Sequence, residues 1–215
     1  YWVATDGSDS NNGVSSNTPF ATPQKAVTLS ALAPGDTIYI RGGIYLLNTQ
    51  VKPGKTATVT NPIRMWAYPG EKPVFDGQWG ETGTDGNFLV FSNNSHVVVD
   101  GITIQRFADQ YGNGTIDLYN GQGPVDDITI QNVTMLDNGS HPAQDHHIYI
   151  AAGVTNVTIR NNTLIRAAGS AIQSYHGPAT TGLKIYNNVL IGGKLNCSQS
   201  TKNSCSTSAT QHWGL

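Results

Sequence analysis

The sequence predicts an all-β fold: a right-handed, single-stranded parallel β-helix (solenoid) with a short N-terminal capping helix. Three observations predict it. Four segments align without gaps: Val97-Val-Val-Asp-Gly-Ile-Thr-Ile, Ile128-Thr-Ile-Gln-Asn-Val-Thr-Met, Val157-Thr-Ile-Arg-Asn-Asn-Thr-Leu and Leu183-Lys-Ile-Tyr-Asn-Asn-Val-Leu, with starts 31, 29 and 26 residues apart. A second set falls between them: Thr115-Ile-Asp-Leu-Tyr, His147-Ile-Tyr-Ile-Ala, Ala171-Ile-Gln-Ser-Tyr and His212-Trp-Gly-Leu. Only 12% of residues are charged, against roughly 25% in ordinary soluble domains, while glycine (24) and asparagine (19) are abundant. Rungs of this period cannot bury their apolar faces alone, but stacking buries them in one continuous core. Rungs packed between rungs leave few sites for charge.

The elements follow in order along a single domain of residues 1–215. Residues 1–36 supply a strand (Tyr1-Trp-Val-Ala), a polar loop from Asp6 to Thr18, and a helix that Thr22 caps and Pro23 begins. That helix is expected to run to about Leu32, with Ala26, Val27, Leu29 and Leu32 covering the open end of the stack. Pro34-Gly35-Asp36 turns into the first rung, Thr37-Ile-Tyr-Ile, and residues 37–215 provide about six or seven coils. Within the repeat, Gly101, Asn132, Asn161 and Asn187 hold one corner position, where a left-handed backbone suits Gly or Asn. Stacked asparagines there are expected to bond to the rungs above and below. The chain stops at Gln211-His-Trp-Gly-Leu215, within an expected rung and without a cap. That implies a longer chain or self-association at this end.

Composition narrows the function. A net charge of −2 lacks the basic face that nucleic acid requires, and disordered chains combine low hydrophobicity with high net charge. No apolar run approaches the ~18 residues of a membrane span. Cys197 and Cys205 lie eight positions apart in a Ser/Thr/Asn-rich loop, where a disulfide fits better than a metal pair, since nothing nearby completes a ligand set. Asn-x-Ser/Thr triplets begin at Asn93, Asn113, Asn132, Asn138, Asn156, Asn161 and Asn196. With a chain that begins at Tyr1, as a processed protein would, they point to a secreted, extracellular protein.

The run Asp6-Gly-Ser-Asp, Thr18-Pro-Phe-Ala-Thr-Pro-Gln-Lys-Ala-Val and Pro34-Gly-Asp-Thr-Ile-Tyr-Ile-Arg-Gly-Gly-Ile-Tyr45 resembles the opening of secreted β-helix proteins of the pectate-lyase-like superfamily. It is most similar to family 9 polysaccharide lyases. The resemblance implies a polysaccharide substrate and a divalent cation, such as calcium, as cofactor. Family 9 lyases use a lysine base and a calcium site built from several aspartates. This sequence departs from that pattern: Lys184 falls in a different strand from the His/Tyr one, Lys194 lies in a loop, and Asp109, Asp117, Asp137 and Asp145 are dispersed. The resemblance therefore implies no particular catalytic residue in this sequence.

Alternation along the strands places Ile116, Leu118, Ile148 and Ile150 inward. The outward columns are then Thr115/His147/Ala171/His212, Asp117/Tyr149/Gln173/Gly214 and Tyr119/Ala151/Tyr175. Rungs about 4.8 Å apart and next-but-one neighbours about 6.7 Å apart make this a patch of sugar-ring dimensions. Long loops beside it form its expected walls. A lyase needs a base, a proton donor and a cation for the enolate-like charge. His147, Tyr149 and Asp117 are the candidate catalytic groups, with Arg166 or Arg106 neutralising a uronate carboxylate. The arginines flank Asp137 and could equally be a structural charge ladder. Gln173, Tyr175, Tyr119, Arg106 and His212 are the candidate substrate contacts, and Asp145 with His141 is a candidate metal pair. A glycoside hydrolase needs two carboxyl groups about 5–9.5 Å apart, which Asp117 and Asp145 supply only through a loop excursion. A non-catalytic carbohydrate-binding protein is the third reading, with Tyr119, Tyr149, Tyr175, Trp66 and Trp79 as aromatic platforms.

Overall fold

A computed structural model describes residues 1–47, 49–79, 87–108, 114–141, 144–175, 180–192, 195–197 and 205–207; Tyr175 and residues 195–197 and 205–207 are described by their backbone. The chain opens with β1 (Trp2–Val3) and α1 (Pro23–Val27), then β2 (Thr37–Ile40) and β3 (Gly43–Leu46). Full coils follow as strand triplets: β4 (Ile63–Ala67), β5 (Pro73–Asp76), β6 (Leu89–Phe91); then β7 (Asn94–Asp100), β8 (Thr103–Gln105), β9 (Gly114–Leu118). The next are β10 (Val125–Gln131), β11 (Thr134–Leu136), β12 (His146–Ala151) and β13 (Thr158–Arg160), β14 (Thr163–Ile165), β15 (Ile172–Tyr175). After β16 (Lys184–Tyr186) and β17 (Val189–Ile191) come β18 (Leu195–Cys197) and β19 (Cys205–Thr207), a small antiparallel pair.

Three parallel sheets form the stack: β1-β2-β4-β7-β10-β13-β16, then β3-β5-β8-β11-β14-β17, then the shorter β6-β9-β12-β15. The first coil joins the third sheet only through the bridge from Val51 to Leu89. The described residues therefore make about five turns rather than six or seven. The repeat dictates the register: Val97 pairs with Ile128 and Thr129 with Thr158, as the gapless alignment requires. Inside, Ile38, Ile40, Val99, Ile104, Ile116, Leu118, Ile130, Ile148, Ile150 and Ile159 are wholly buried.

The corner between the first and second sheets is a single left-handed residue in each repeat: Gly101 (φ 76°), Asn132 (54°), Asn161 (56°) and Asn187 (55°). The asparagine ladder, however, sits one residue later than expected. Asn162 points inward, accepts from Val133 N–H (2.9 Å) and donates to Ile130 O (3.0 Å). Asn188 repeats the pattern one coil on, accepting from Asn162 N–H and donating to Ile159 O. The left-handed residue itself turns its side chain outward: Asn132 donates to Asp100 at 2.7 Å.

The N-terminal helix is shorter than the sequence suggests. Thr22 caps it, its Oγ1 accepting from Lys25 N–H, and Pro23 opens it, but it stops at Val27 rather than Leu32. Thr28 ends it, donating its hydroxyl back to Gln24 O at 2.7 Å, a bond that competes with helix continuation. Ala26 and Val27 are buried against the first coils.

Candidate active site

The outer face of the third sheet carries the expected central column. Val90, Asp117, Tyr149 and Gln173 lie in register on four successive coils. The Asp117 and Tyr149 backbones are thus one rung, about 4.8 Å, apart. Asp117 and Tyr149 are only 6% and 8% exposed. Asn87, just before β6, donates to Asp117 Oδ2 at 3.0 Å. Gln173 is half-buried and Tyr119 lies at the rim, 51% exposed.

His147 does not share that face. Alternate N–H groups of a regular parallel strand point to the same neighbour, yet His147 N–H and Ile148 N–H both donate to the next coil, to Ser170 O and Ala171 O. The pleat is broken there, as in a bulge, and His147 turns into the corner between the second and third sheets. Its exposure is zero. Nε2–H donates to Ile165 O at 3.0 Å, and Nδ1 accepts from Asn138 Nδ2 at 3.2 Å. Asn138 in turn accepts from Phe107 N–H and donates to Ile104 O. Burial pushes the imidazole pKa down to about 4. Both ring nitrogens are committed to the scaffold, so His147 is a neutral structural link and not the base on the sheet surface.

The same break sets His146, itself 7% exposed, against Tyr149. Its ring stacks with Tyr149, centroids 6.0 Å apart and planes 14° apart. Ser170 N–H donates to His146 Nδ1 at 3.0 Å, which leaves the proton of the neutral ring on Nε2. Burial lowers its pKa and favours that neutral form. His146 and Asn87 join this column, and neither is among the catalytic or substrate-binding candidates that the sequence singles out. The first is hidden by a local loss of alternation and the second lies in a loop without a motif.

The arginines are occupied. Arg166 makes a bidentate pair with Asp137 at 2.5 and 2.6 Å. Arg106 pairs not with Asp137 but with Asp76. Burial alone would raise the Asp76 carboxyl, but Arg106, Gln105 and Gln78 N–H together hold it below the usual range. The expected Arg106–Asp137–Arg166 ladder is therefore two separate pairs, in each of which the carboxylate takes only part of the guanidinium's donors.

Asp145 is turned inward, accepting from Ser140 N–H (2.5 Å) and His141 N–H (2.7 Å), with His141 Nδ1 at 3.2 Å. It braces its own loop instead of opposing Asp117. Among the described residues no group of three His, Cys, Asp or Glu side chains could hold a metal. The calcium site implied by the resemblance does not fit the donors described. Tyr175 lies in β15, its side chain outside the described residues; His212, and with it the proposed C-terminal self-association, lies outside them altogether.

A right-handed parallel β-helix with short left-handed corners on one side and a polar sheet face on another defines the class. The chain belongs to a family within it, described as the Pel9A-like, right-handed β-helix region, which matches residues 1–203. Among curated relatives, pectate lyase PEL9 of Emericella nidulans is 35% identical over 77 residues, 36% of this chain and 18% of that protein. Among solved structures, a GH136 lacto-N-biosidase from Eubacterium ramulus superposes with TM-score 0.63 at 17% identity, over 88% of this chain and 41% of that one. Pectate lyase Pel9A gives 0.60 at 15%, over 88% and 57%. The chain thus spans less than two thirds of each relative's length, and the structural likenesses establish the fold.

Proposed function

We propose that the protein is a secreted carbohydrate-active enzyme that cleaves a uronate-containing polysaccharide by β-elimination on the outer face of the third sheet. The observation that carries this reading is the in-register column Asp117/Tyr149/Gln173, with His146 stacked on Tyr149, in a chain of the Pel9A-like family. The Asp117 carboxylate takes the proton beside the uronate carboxyl. The electron pair of that C–H bond becomes the new C=C bond, and the glycosidic C–O bond breaks. The Tyr149 hydroxyl hands a proton to the leaving oxygen, and His146 Nε2–H hydrogen-bonds to the developing charge. Elimination is favoured over hydrolysis because Asp117 is, among the described residues, the one carboxylate in this column, and hydrolysis needs two. The names of the similar pectate lyases support the same substrate class.

Secretion and a disulfide belong to the same reading. Cys197 stands directly opposite Cys205 across the antiparallel pair β18–β19, a register that suits a bond formed outside the cell. The test is a panel of pectate, alginate, glycosaminoglycan and neutral glycans, with and without chelator. Ultraviolet absorbance reports unsaturated uronate, and reducing ends without that absorbance report hydrolysis. Cleavage of a uronate polymer with new absorbance is expected; hydrolysis alone, or no cleavage of any glycan, overturns the proposal.

A further inference from the structure

The outer face of the first sheet carries a second column that the catalytic reading does not use. Trp2, Tyr39 and Trp66 occupy one position on three neighbouring strands of that sheet, and Asp100, Gln131, Arg160 and Tyr186 continue it over the four other strands. The aromatic end is packed upon itself: Trp2–Tyr39 at 5.2 Å, Tyr39–Trp66 at 6.2 Å with planes 23° apart, and Tyr68 against both Trp2 and Tyr39. Trp66 ends that stack. Its neighbour on the far side is Asp100, a short side chain, and Trp66 is 37% exposed.

Beyond Trp66 the column becomes a linked polar ledge. Gln131 Nε2 donates to Asp100 Oδ2 at 2.6 Å, and Arg160 Nε donates to Gln131 Oε1 at 2.8 Å. Arg160 Nη1 reaches Tyr186 Oη at 3.4 Å. These bonds fix the side chains without exhausting them. A carboxylate has about four acceptor sites and a guanidinium five donors, so Asp100 and Arg160 each retain capacity toward solvent. Their charges cancel. The ledge therefore favours a ligand rich in hydroxyls, which both donate and accept, over one of strong net charge. The uncovered face of Trp66 suits the C–H face of a pyranose ring, with hydroxyls at the ring edge reaching the ledge. Coils about 4.8 Å apart offer a new contact at nearly every sugar of a chain laid along the helix axis.

We propose that this column is a second glycan-binding site, separate from the cutting face, in which Trp66 is the platform and Asp100, Gln131 and Arg160 are the hydrogen-bonding ledge. It rests on the carbohydrate reading above but not on β-elimination. The site holds a weakly charged, hydroxyl-rich stretch of a long polysaccharide while the third sheet acts at a uronate elsewhere on it, or holds it whether or not cleavage follows.

The experiment is affinity electrophoresis of the whole chain in gels containing polygalacturonate, xylan or galactan, alongside tryptophan fluorescence on addition of the same polymers. Wild type is expected to be retarded by at least one polymer, with a change in emission. Trp66→Ala should weaken retardation about tenfold, the factor that 1.4 kcal/mol represents, and lose most of the emission change. Arg160→Gln should weaken it less, and Trp66→Phe should restore most of it. Cleavage of short soluble oligosaccharides, which cannot span both faces, should be unchanged in Trp66→Ala. No retardation of wild type, or equal retardation and emission change in folded Trp66→Ala, overturns the second site. Absence of cleavage with binding intact overturns only the lyase reading.

Discussion

Replacement of His147 by glutamine separates a structural imidazole from a catalytic one. In the folded chain the His147 pKa lies at about 4, against 6.5 for the unperturbed group, because burial disfavours the charged form. A depressed imidazole pKa means that the unfolded chain binds the extra proton between those values. Stability is therefore full above about pH 6.5 and falls as the pH drops toward 4. A shift of that size corresponds to about 3 kcal/mol. Glutamine offers one acceptor for Asn138 Nδ2 and one donor for Ile165 O, the bonds His147 makes, but it does not titrate. The variant should fold at pH 7 with a loss of about 1–2 kcal/mol from imperfect hydrogen-bond geometry. Urea unfolding at pH 7 and at pH 4.5 provides the measurement. Wild type should lose about 2–3 kcal/mol more than His147→Gln between the two conditions. Equal losses in both proteins would refute a buried, neutral His147.

Three other outcomes follow from the same geometry. Asn162→Ala strands the buried Val133 N–H and Ile130 C=O, and should cost about 2–4 kcal/mol in urea unfolding. Arg166→Gln removes a pair in which both side chains are about a third exposed, so it should cost only about 1 kcal/mol, with a cost that shrinks in high salt. Gly114→Ala would set a Cβ 2.5 Å from Tyr149 N and 2.7 Å from Tyr149 Cβ. Because Ile116 O is also in the way, the variant should lower both the melting temperature and turnover, and an unchanged melting temperature and rate would show that the strand around Tyr149 is not packed as described.

Much of this was legible in the sequence because stacking enforces register. Once Thr115-Ile-Asp-Leu-Tyr, His147-Ile-Tyr-Ile-Ala and Ala171-Ile-Gln-Ser-Tyr align, the central column of the third sheet follows, and Asp117, Tyr149 and Gln173 indeed stand side by side. The left-handed corners between the first and second sheets were legible for the same reason, since Gly and Asn tolerate that backbone best; the left-handed Arg106, Asp137 and Arg166 after the second sheet carry no such mark. What escaped was whatever breaks the period. The bulge at His147 exchanges the roles of two adjacent histidines, and no pattern of alternation reveals it. The inward asparagines, Asn162 and Asn188, lie next to the corner residues and resemble them in sequence, so the ladder was placed one residue early. Arg106 chose Asp76 over Asp137 through the diagonal geometry of neighbouring corners, which a column alignment does not encode.

On the proposed mechanism the cutting groups lie on the outer face of the third sheet and His147 is not among them. The measurement that tests it most directly is the rate of unsaturated-uronate formation by wild type, Tyr149→Phe and His147→Gln on the polymer that the glycan panel identifies. Loss of the Tyr149 hydroxyl should lower the rate about 100-fold or more, with the fold intact, while His147→Gln should stay within about tenfold of wild type at pH 7, short of that general-acid range. A Tyr149→Phe protein that cleaves at the wild-type rate, or a folded His147→Gln protein that does not cleave, would contradict it.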